Sequence, residues 1–345
     1  MTDTTQLKAS VVNYCSEIGK DPLLTQGAGG NASWKDADTL WIKASGTWLA
    51  DAADKDIFVA VDLNHLNEAI NKGDFSVTPI VTSDSPLRPS IEALLHALMP
   101  HRIVIHLHAI EVLAHLVRED CYDNYKSLID DSTSWAMVDY HKPGTALASA
   151  VSQTLADSPN AKVVFLKNHG VVIGGTNVSE VNEILTKLNL ALKTATIEPC
   201  RPQDTLSDSQ SQSDEEFIPV PDTDVHQLAL NSQLFERLCA DWVLYPDHVV
   251  FLGPRPYTYD SWDAMNRAIN SDTENANNAI DLVFIRGQGV FMKPEFNKAK
   301  QEQLRCYYDV LARQNTTSPL SRLSDSQIAE LLNWDAEQYR MSLAQ

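Results

Sequence analysis

The sequence contains a ten-residue hairpin pattern, Val163-Val164-Phe165-Leu166-Lys167-Asn168-His169-Gly170-Val171-Val172. Its two apolar runs are rich in β-branched residues, which predicts two strands, and the polar Asn168-His169-Gly170 between them predicts the turn of a hairpin. A helical pattern from about Thr145 to Leu155 precedes this segment, and another from about Ser179 to Thr196 follows it. The apolar run from Arg102 to His108 adds a buried strand. This alternation predicts an α/β or α/β/α layered class that contains antiparallel hairpins.

The chain is long enough for two domains. It has 345 residues, and about 150 residues is a usual domain size. Between Arg201 and Val225 a single base accompanies seven acidic residues, among Ser, Gln and Pro. Such a segment buries too little apolar surface to offset the entropy of ordering it. We therefore predict one domain over residues 1–200, an acidic linker over 201–225 and a smaller α+β domain over 226–345.

The second domain contains a stretch of sequence that is similar to the hairpin segment above. Residues 282–291 match residues 163–172 in character, position for position, and a long helix follows each copy. This favours a partial, degenerate repeat, although any hairpin with a glycine turn has a similar pattern. In the repeat Gln288 replaces His169, and no residue after 225 matches an HxH pair. The second domain would then bind no metal and would serve assembly or shape a cleft.

Charge and composition exclude several classes of partner. The formal net charge is −19, and a strongly acidic surface repels nucleic acid and anionic lipid headgroups. The start, Met1 to Ala9, is polar, and no uninterrupted apolar run reaches the length of a membrane span. Five widely spaced cysteines form no C-x-x-C pair, which indicates free thiols in a reducing compartment. We expect a cytoplasmic protein that binds neither nucleic acid nor membrane.

Three histidines form a candidate metal site. His106 and His108 lie two apart in a predicted strand, so both imidazoles point to the same side. His169 ends another strand, at a turn from which a side chain can project. Three imidazoles with an open fourth position are typical of a catalytic metal site, with zinc the first choice and manganese or cobalt also possible. The alternative is a set of hydrogen-bonded core histidines.

Glu92 is the candidate acid or base. It follows the predicted N-cap Ser90, so it either stabilises the positive end of the helix dipole or moves a proton at a metal-bound substrate. His96 lies one turn later, where we expect it to support the site or to pack.

Two loops of small residues are candidates for phosphate binding. These loops, Gly27 to Asn31 and Ala44 to Thr47, would offer backbone N–H groups and hydroxyls, and the helix after Ser90 would add a third set of donors. The alternative is that they are ordinary turns. Lys35 and Lys43 lie nearby as possible counter-charges, or as surface lysines.

These motifs together resemble the class II aldolase/adducin family over about residues 5–198. The matching stretches are Gly29-Gly30-Asn31-Ala32-Ser33, Ile42-Lys43-Ala44-Ser45-Gly46-Thr47, Arg88-Pro89-Ser90-Ile91-Glu92, His106-Leu107-His108 and Asn168-His169-Gly170. The resemblance implies a three-layer α/β/α fold with a mainly antiparallel central sheet, in a homo-oligomer that is usually a tetramer. It also implies metal ligands at His106, His108 and His169 and a catalytic acid/base at Glu92. Asn31, Ser45, Gly46 and Ser90 would be the phosphate-binding residues.

The resemblance has limits. Ile91 stands where related aldolases often have a hydroxyl, and the tyrosine that some members use as a proton donor has no clear counterpart, with Tyr122 and Tyr125 as guesses. Pro143-Gly144-Thr145 and the downstream region are similar to the aldolase portion of aldolase/dehydrogenase fusions. No G-x-G-x-x-G dinucleotide motif is present, so no dehydrogenase half is expected.

The function that we expect is that of a lyase with one divalent metal per chain. It would cleave a phosphorylated ketose by reversible aldol chemistry through a metal-stabilised enediolate. An epimerase, dehydratase or decarboxylase would use the same residues. A non-catalytic assembly module similar to the adducin head domain is the third possibility, and it would be expected to lack the ligands.

Overall fold

A computed structural model describes residues 3–130, 132–200, 216–271, 280–314 and 318–332. We call residues 3–200 the N-terminal unit and residues 216–332 the C-terminal unit. No helix in these ranges is long and apolar enough to cross a membrane.

The N-terminal unit is built on a seven-stranded sheet. Its strands are β1 (Asn31–Asp36), β2 (Thr39–Lys43), β3 (Phe58–Asp62), β4 (Ile103–Leu107), β5 (Trp135–Val138), β6 (Val163–Leu166) and β7 (Gly170–Gly175). They lie in the order β3-β2-β1-β4-β7-β6-β5. Neighbouring strands are antiparallel except for the parallel pair of β5 and β6. The predicted mainly antiparallel central sheet is confirmed.

Helices cover both faces of this sheet. One face holds α1 (Asp3–Ile18), α4 (Ile110–Leu116), α5 (Cys121–Leu128) and α7 (Val178–Ala191), and the other holds α2 (Leu63–Lys72), α3 (Ala93–Leu98) and α6 (Thr145–Asp157). Side chains alternate along each strand, so Ile105 and Phe165 pack with the first layer while Val104 and Val164 pack with the second. The predicted three-layer α/β/α arrangement is confirmed.

The C-terminal unit has a smaller, four-stranded sheet. Its strands are β8 (Ile218–Pro219), β9 (Thr258–Tyr259), β10 (Leu282–Ile285) and β11 (Gly289–Met292), in the order β8-β11-β10-β9. Its helices are α8 (Gln227–Leu230), α9 (Ser232–Ala240), α10 (Pro246–Leu252), α11 (Trp262–Ser271), α12 (Lys298–Ala312) and α13 (Asp325–Leu332).

The two sheets share a topology. In chain order β4, β5, β6 and β7 correspond to β8, β9, β10 and β11, and both sets are arranged first-fourth-third-second. The senses also agree, because the only parallel pair in each set is the second strand with the third. Both hairpin turns use a left-handed residue, Asn168 (φ 54°) and Gly287 (φ 70°). These agreements favour the predicted partial repeat, which stays a proposal.

The end of the predicted linker is ordered. Residues 201–215 lie outside the described residues, but Phe217 and Val220 are 2% and 4% exposed and flank β8. Val225 is also buried. A few apolar residues after the acidic stretch thus suffice to add an edge strand to β11 within the predicted linker, and the domain boundary at 225 stays a proposal.

The two units pack closely against each other. Apolar residues of α4, Ile110 and Leu113 among them, share one core with α12 and the segment around Leu244. An ion pair and a hydrogen bond also join the two units. Arg313 forms an ion pair with Glu111 at 2.9 Å, and Arg118 Nε donates to Gln314 Oε1 at 2.9 Å. Because α4 begins two residues after His108, this contact brings the C-terminal unit next to the predicted metal site.

Candidate metal centre

Three imidazoles converge where interior strands of the large sheet end. His106 lies in β4, His108 follows that strand, and His169 lies in the turn between β6 and β7. All three are buried, and one nitrogen from each lies within 4.8 Å of the others. The pairing of the antiparallel strands β4 and β7 brings them together. His106 is paired with Val172, three residues after His169 in the turn that precedes β7. The structure thus brings together the three residues that the sequence singled out.

The protonation of these imidazoles suits a metal ligand. His106 Nδ1 lies 3.1 Å from the carbonyl oxygen of Val171 and donates to it, which leaves a lone pair on Nε2. That lone pair faces His108 Nε2 at 3.2 Å. Burial lowers the pKa of His106 and lowers that of His169 to about 3, so both are neutral at neutral pH. Neutral imidazole is the form that binds a cation.

Glu92 faces the same point. It precedes α3, and its two carboxylate oxygens lie 3.7 Å from His106 Nε2 and 3.8 Å from His169 Nε2. Burial raises the pKa of Glu92, but the adjacent His106 and His169 and a hydrogen bond from Asn31 outweigh it and lower the pKa to about 2. Positive charge next to this carboxylate is what stabilises its ionised form, and when the imidazoles are neutral a bound cation would supply that charge.

Unpaired atoms provide a test of whether a metal fits. Glu92 Oε1 and His169 Nδ1 are buried and have no hydrogen-bond partner among the described residues. Buried polar atoms are rarely left unpaired. These unpaired nitrogen and carboxylate oxygen atoms lie next to the facing lone pairs of His106 and His108. Atoms of this kind are the ligands that a divalent cation such as zinc prefers. The residues that are present fit a metal.

Asn31 and His96 hold Glu92 in place. Asn31 Nδ2 donates to Glu92 Oε2 at 2.7 Å, and Asn31 Oδ1 contacts His96 Nε2. The other ring nitrogen of His96 lies 2.7 Å from Ser33 Oγ. Burial lowers the pKa of His96 to about 3. His96 therefore supports the site through Asn31, the role that we favoured from the sequence.

The predicted phosphate loops line one pocket with the histidines. Ser45, Gly46, Ser90 and Asn31 share this pocket with Glu92, His108 and His169. Gly46 has a φ of 77°, a left-handed conformation that favours glycine. The amide of Asn31 is already bonded to Glu92 and His96, so Asn31 is less free to bind phosphate than the other three.

Sequence reasoning missed two features of this pocket. Lys43, which we weighed as a surface lysine, is only 2% exposed, and its ammonium donates to the carbonyl oxygens of Ala28 and Thr47. It thereby joins the two small-residue loops. Asp247 of the C-terminal unit also lines the pocket, and no motif around it in the sequence would have identified it.

Lys35 and the two tyrosines that we considered lie elsewhere. Lys35 donates to the carbonyl of Ala97, and burial lowers its pKa to about 8. Tyr125 is buried and donates to the carbonyl of Val112 at 2.7 Å, while Tyr122 is exposed. Neither tyrosine lines the pocket.

Comparison with known proteins identifies the family of the chain. The family described as "Class II Aldolase and Adducin N-terminal domain" matches residues 9–196. Because this match covers more than half of the chain, the protein belongs to the class II aldolase and adducin family. This confirms the resemblance that the sequence motifs indicated.

Individual relatives are more distant. The chain is 29% identical over 177 residues to the "Uncharacterized oxidoreductase YuxG" of Bacillus subtilis (strain 168), a match over 46% of this chain and 25% of that protein. The matched region thus spans a quarter of the length of this curated relative.

Two solved structures are similar to part of the chain. The N-terminal class II aldolase domain of a conserved Thermoplasma acidophilum protein has a TM-score of 0.45 at 23% identity, and covers 53% of this chain and 91% of that one. YgbL from Klebsiella pneumoniae has a TM-score of 0.42 at 19% identity, and covers 55% and 87%.

Proposed function

We propose that this protein is a metal-dependent lyase that cleaves a ketose phosphate by reversible aldol chemistry. The observation that carries the proposal is the convergence of His106, His108 and His169 with the Glu92 carboxylate in one buried cluster. Family membership supports the class of reaction but not the substrate, because class II aldolase relatives include several activities. The sugar and its phosphate are part of the proposal.

The three histidines would hold one divalent cation per chain, and zinc is the ion that we propose, ahead of manganese or cobalt. When bound, such a cation supplies Lewis-acid stabilisation of the negative charge that develops as the carbon–carbon bond breaks. The buried position of the imidazoles excludes bulk water, which strengthens electrostatic interactions inside the pocket.

Glu92 would transfer the proton. Its carboxylate is ionised at neutral pH and is held by the Asn31 amide. In the aldol direction it would remove a proton from the substrate carbon, and in the cleavage direction it would return that proton. A positioned carboxylate that exchanges a proton in this way contributes on the order of 10²–10⁴-fold to the rate.

Ser45, Gly46 and Ser90 would bind the phosphate, and the buried Lys43, which lines the same pocket, would contribute a positive charge. We assign Asn31, predicted as a fourth phosphate ligand, to orienting Glu92, since its amide is already bonded there. An acidic chain can bind an anion in this pocket because hydroxyls, backbone N–H groups and a cation determine the local field.

The roles of the two units, the oligomeric state and the cellular compartment are further proposals. Residues 1–200 would form the catalytic domain, and the C-terminal unit would be a degenerate partial repeat without metal ligands of its own. We also propose a cytoplasmic homo-oligomer, a tetramer by family resemblance. The five cysteines are free thiols, which agrees with a reducing compartment.

Product analysis tests the reaction. The zinc-loaded protein is incubated with a panel of pentulose and hexulose phosphates, and the products are identified by mass spectrometry. Two fragments whose masses add up to that of the substrate would support the aldolase. A product of unchanged mass would instead indicate an epimerase, and loss of water a dehydratase. A phosphorylated keto sugar acid, which carries the carboxylate that a ketose lacks, tests for a decarboxylase through loss of carbon dioxide.

The alternative hypothesis, a non-catalytic assembly module, predicts a different result. It would give no product from any sugar phosphate and would hold no stoichiometric metal. The retention of all three imidazoles and Glu92 in one buried cluster favours the enzyme, since such a cluster of ionisable groups is costly to keep without use.

A further inference from the structure

The environment of His108 differs from that of His106 in one respect. The proton on His106 Nδ1 is held by a backbone carbonyl within the N-terminal unit. His108 Nδ1 instead faces a carboxylate oxygen, Asp247 Oδ2, at 3.4 Å, and the two side chains are 7% and 4% exposed. Asp247 belongs to α10 in the C-terminal unit, so a residue far along the chain contacts a predicted metal ligand.

This contact determines which nitrogen of His108 carries a proton. A ring nitrogen that faces a carboxylate at short range is stabilised when it bears hydrogen, because two lone pairs would repel each other. With the proton on Nδ1, the lone pair of a neutral imidazole lies on Nε2. That is the atom that faces His106 Nε2 at 3.2 Å.

The segment that carries Asp247 is held in place by both units. Asn168, next to His169, donates through Nδ2 to the carbonyl of Leu244 at 2.8 Å. On the C-terminal side, Gln303 Nε2 lies 3.5 Å from Asp247 Oδ2 and 3.4 Å from the carbonyl of Gln26. The carboxylate also lies in the first turn of its helix, where the helix dipole favours a negative charge.

The glycine-rich loop leaves room for this contact. A Cβ atom on Gly29 would lie 2.9 Å from the carbonyl oxygen of Gln26, 3.0 Å from His108 Nδ1 and 3.2 Å from Asp247 Oδ2. Such distances are tighter than nearly all real Cβ contacts. The small residue at 29 therefore has a role at the junction of His108 and Asp247 in addition to any role in a turn.

We propose that Asp247 is a positioning residue that fixes His108 in the Nδ1–H tautomer, so that Nε2 binds the metal. The C-terminal unit thus completes the site although it would supply no metal ligand itself. The inference rests on the proposed metal site. Carboxylates that hold the outer nitrogen of a metal-binding histidine commonly strengthen metal affinity 10- to 100-fold.

Metal titration of the full chain tests this inference. Zinc affinity is measured by competition with a chelator for the wild type, Asp247→Ala, Asp247→Asn and the exposed control Asp260→Asn. We expect about a 10- to 100-fold weaker affinity for Asp247→Ala. The shape-conserving Asp247→Asn should bind more tightly than the alanine variant, since its amide oxygen still accepts from Nδ1–H. Asp260→Asn should match the wild type.

A second readout reports the tautomer itself. Long-range ¹H–¹⁵N correlation spectra of the histidine rings in the zinc-loaded protein should show His108 protonated at Nδ1 in the wild type. In Asp247→Ala this Nδ1 resonance should shift or broaden, while the His106 resonances should stay in place. Loss of packing alone would not move one ring nitrogen selectively.

The outcomes separate the inference from the proposed function. Unchanged zinc affinity and an unchanged His108 spectrum in Asp247→Ala would overturn the positioning role while the metal site stands. Loss of zinc as complete as in His106→Ala would also overturn it, because Asp247 would then be a direct ligand. A wild-type protein that binds no zinc would overturn the metal site and the inference together.

Discussion

Two regions of the molecule share a topology but differ in chemistry. The segment from β4 to β7 and the segment from β8 to β11 have the same strand order and senses. By strand register, Pro219 in the second segment takes the position of His106, since Val172 is paired with His106 and its counterpart Phe291 is paired with Pro219. Pro221 and Gln288 then correspond to His108 and His169.

The difference shows that this strand arrangement does not require the histidine cluster. In the C-terminal unit the same arrangement is held by an apolar core that includes Phe284 and Phe291. In the N-terminal unit the ends of the corresponding strands instead hold buried polar groups, which cost stability unless they are paired. The cluster is therefore better explained by chemistry than by folding, and its removal should affect activity more than structure.

The sharpest test of this comparison is substitution at equivalent positions. His106→Ala should lose its metal and reduce kcat/KM on the order of 10³-fold or more, because one ligand and the stabilisation that depends on the metal are removed together. Pro219→Ala, at the equivalent strand position, should keep both. Elemental analysis and turnover measurements check this, and a metal-replete His106→Ala protein with normal activity would contradict the assignment.

Glu92→Gln should separate metal binding from chemistry. The variant keeps the three imidazoles, so metal content should stay near the wild-type value, while turnover should fall about 10²- to 10⁴-fold because the proton-transfer group is lost. Glu180→Gln changes a surface carboxylate that pairs with Lys162 and serves as the control, with unchanged turnover. Normal turnover of Glu92→Gln would remove Glu92 from the proposed mechanism.

The junction between the two units should contribute to global stability. Glu111 and Arg313 form an ion pair across it and are 15% and 9% exposed, so removing the Glu111 charge leaves the buried Arg313 with the more distant Asp309, at 3.7 Å, as its anionic partner. We expect Glu111→Gln to lower the free energy of unfolding by about 3 kcal/mol, measured with urea. The exposed pair of Glu68 with Lys72 provides the control, since Glu68→Gln should change stability by less than about 0.5 kcal/mol. Equal effects of the two variants would argue against a tight junction.

Much of the N-terminal unit could be predicted from the sequence because its signals are local. The opening hairpin and the strand of His106 are short β-branched runs next to turn residues, and β6, β7 and β4 lie where these runs predict them. The period of two along a strand placed His106 and His108 on one side. The helix that we predicted to reach Thr196 ends at Ala191, since the apolar spacing does not mark a helix end accurately.

The parts of the site that could not be predicted depend on distant contacts. Lys43 is indistinguishable from a surface lysine until the loops of Ala28 and Thr47 close around its ammonium. Asp247 is one acidic residue among 46 Asp and Glu, and only packing of α4 against the C-terminal unit brings it to His108. The edge strand β8 was missed because two residues carry no periodic pattern.

His248 is a buried imidazole outside the metal cluster, and it should make stability depend on pH. His248 is fully buried beside Trp242 and Tyr307, with ring centroids 4.3 Å and 4.4 Å away. Burial lowers its pKa from 6.5 to about 3, so below pH 6.5 the unfolded chain binds a proton that the folded chain excludes. Stability contributed by neutral His248 is therefore present above pH 6.5 and is lost progressively as the pH falls toward 3.

This lowered pKa predicts that the free energy of unfolding falls as the pH is lowered. Replacing His248 should make that fall smaller. On going from pH 7.5 to pH 5, wild-type protein should lose about 2 kcal/mol more unfolding free energy than His248→Phe, as the linkage relation requires for one histidine with this shift. The exposed His141 provides the control, because His141→Phe removes an imidazole from the surface and leaves the buried site intact. The comparison uses the difference between pH values, so a constant cost of placing phenylalanine between Trp242 and Tyr307 cancels. Equal slopes for wild type and His248→Phe would mean that His248 takes up its proton without unfolding, and that this unit is more open to water than its apolar core indicates.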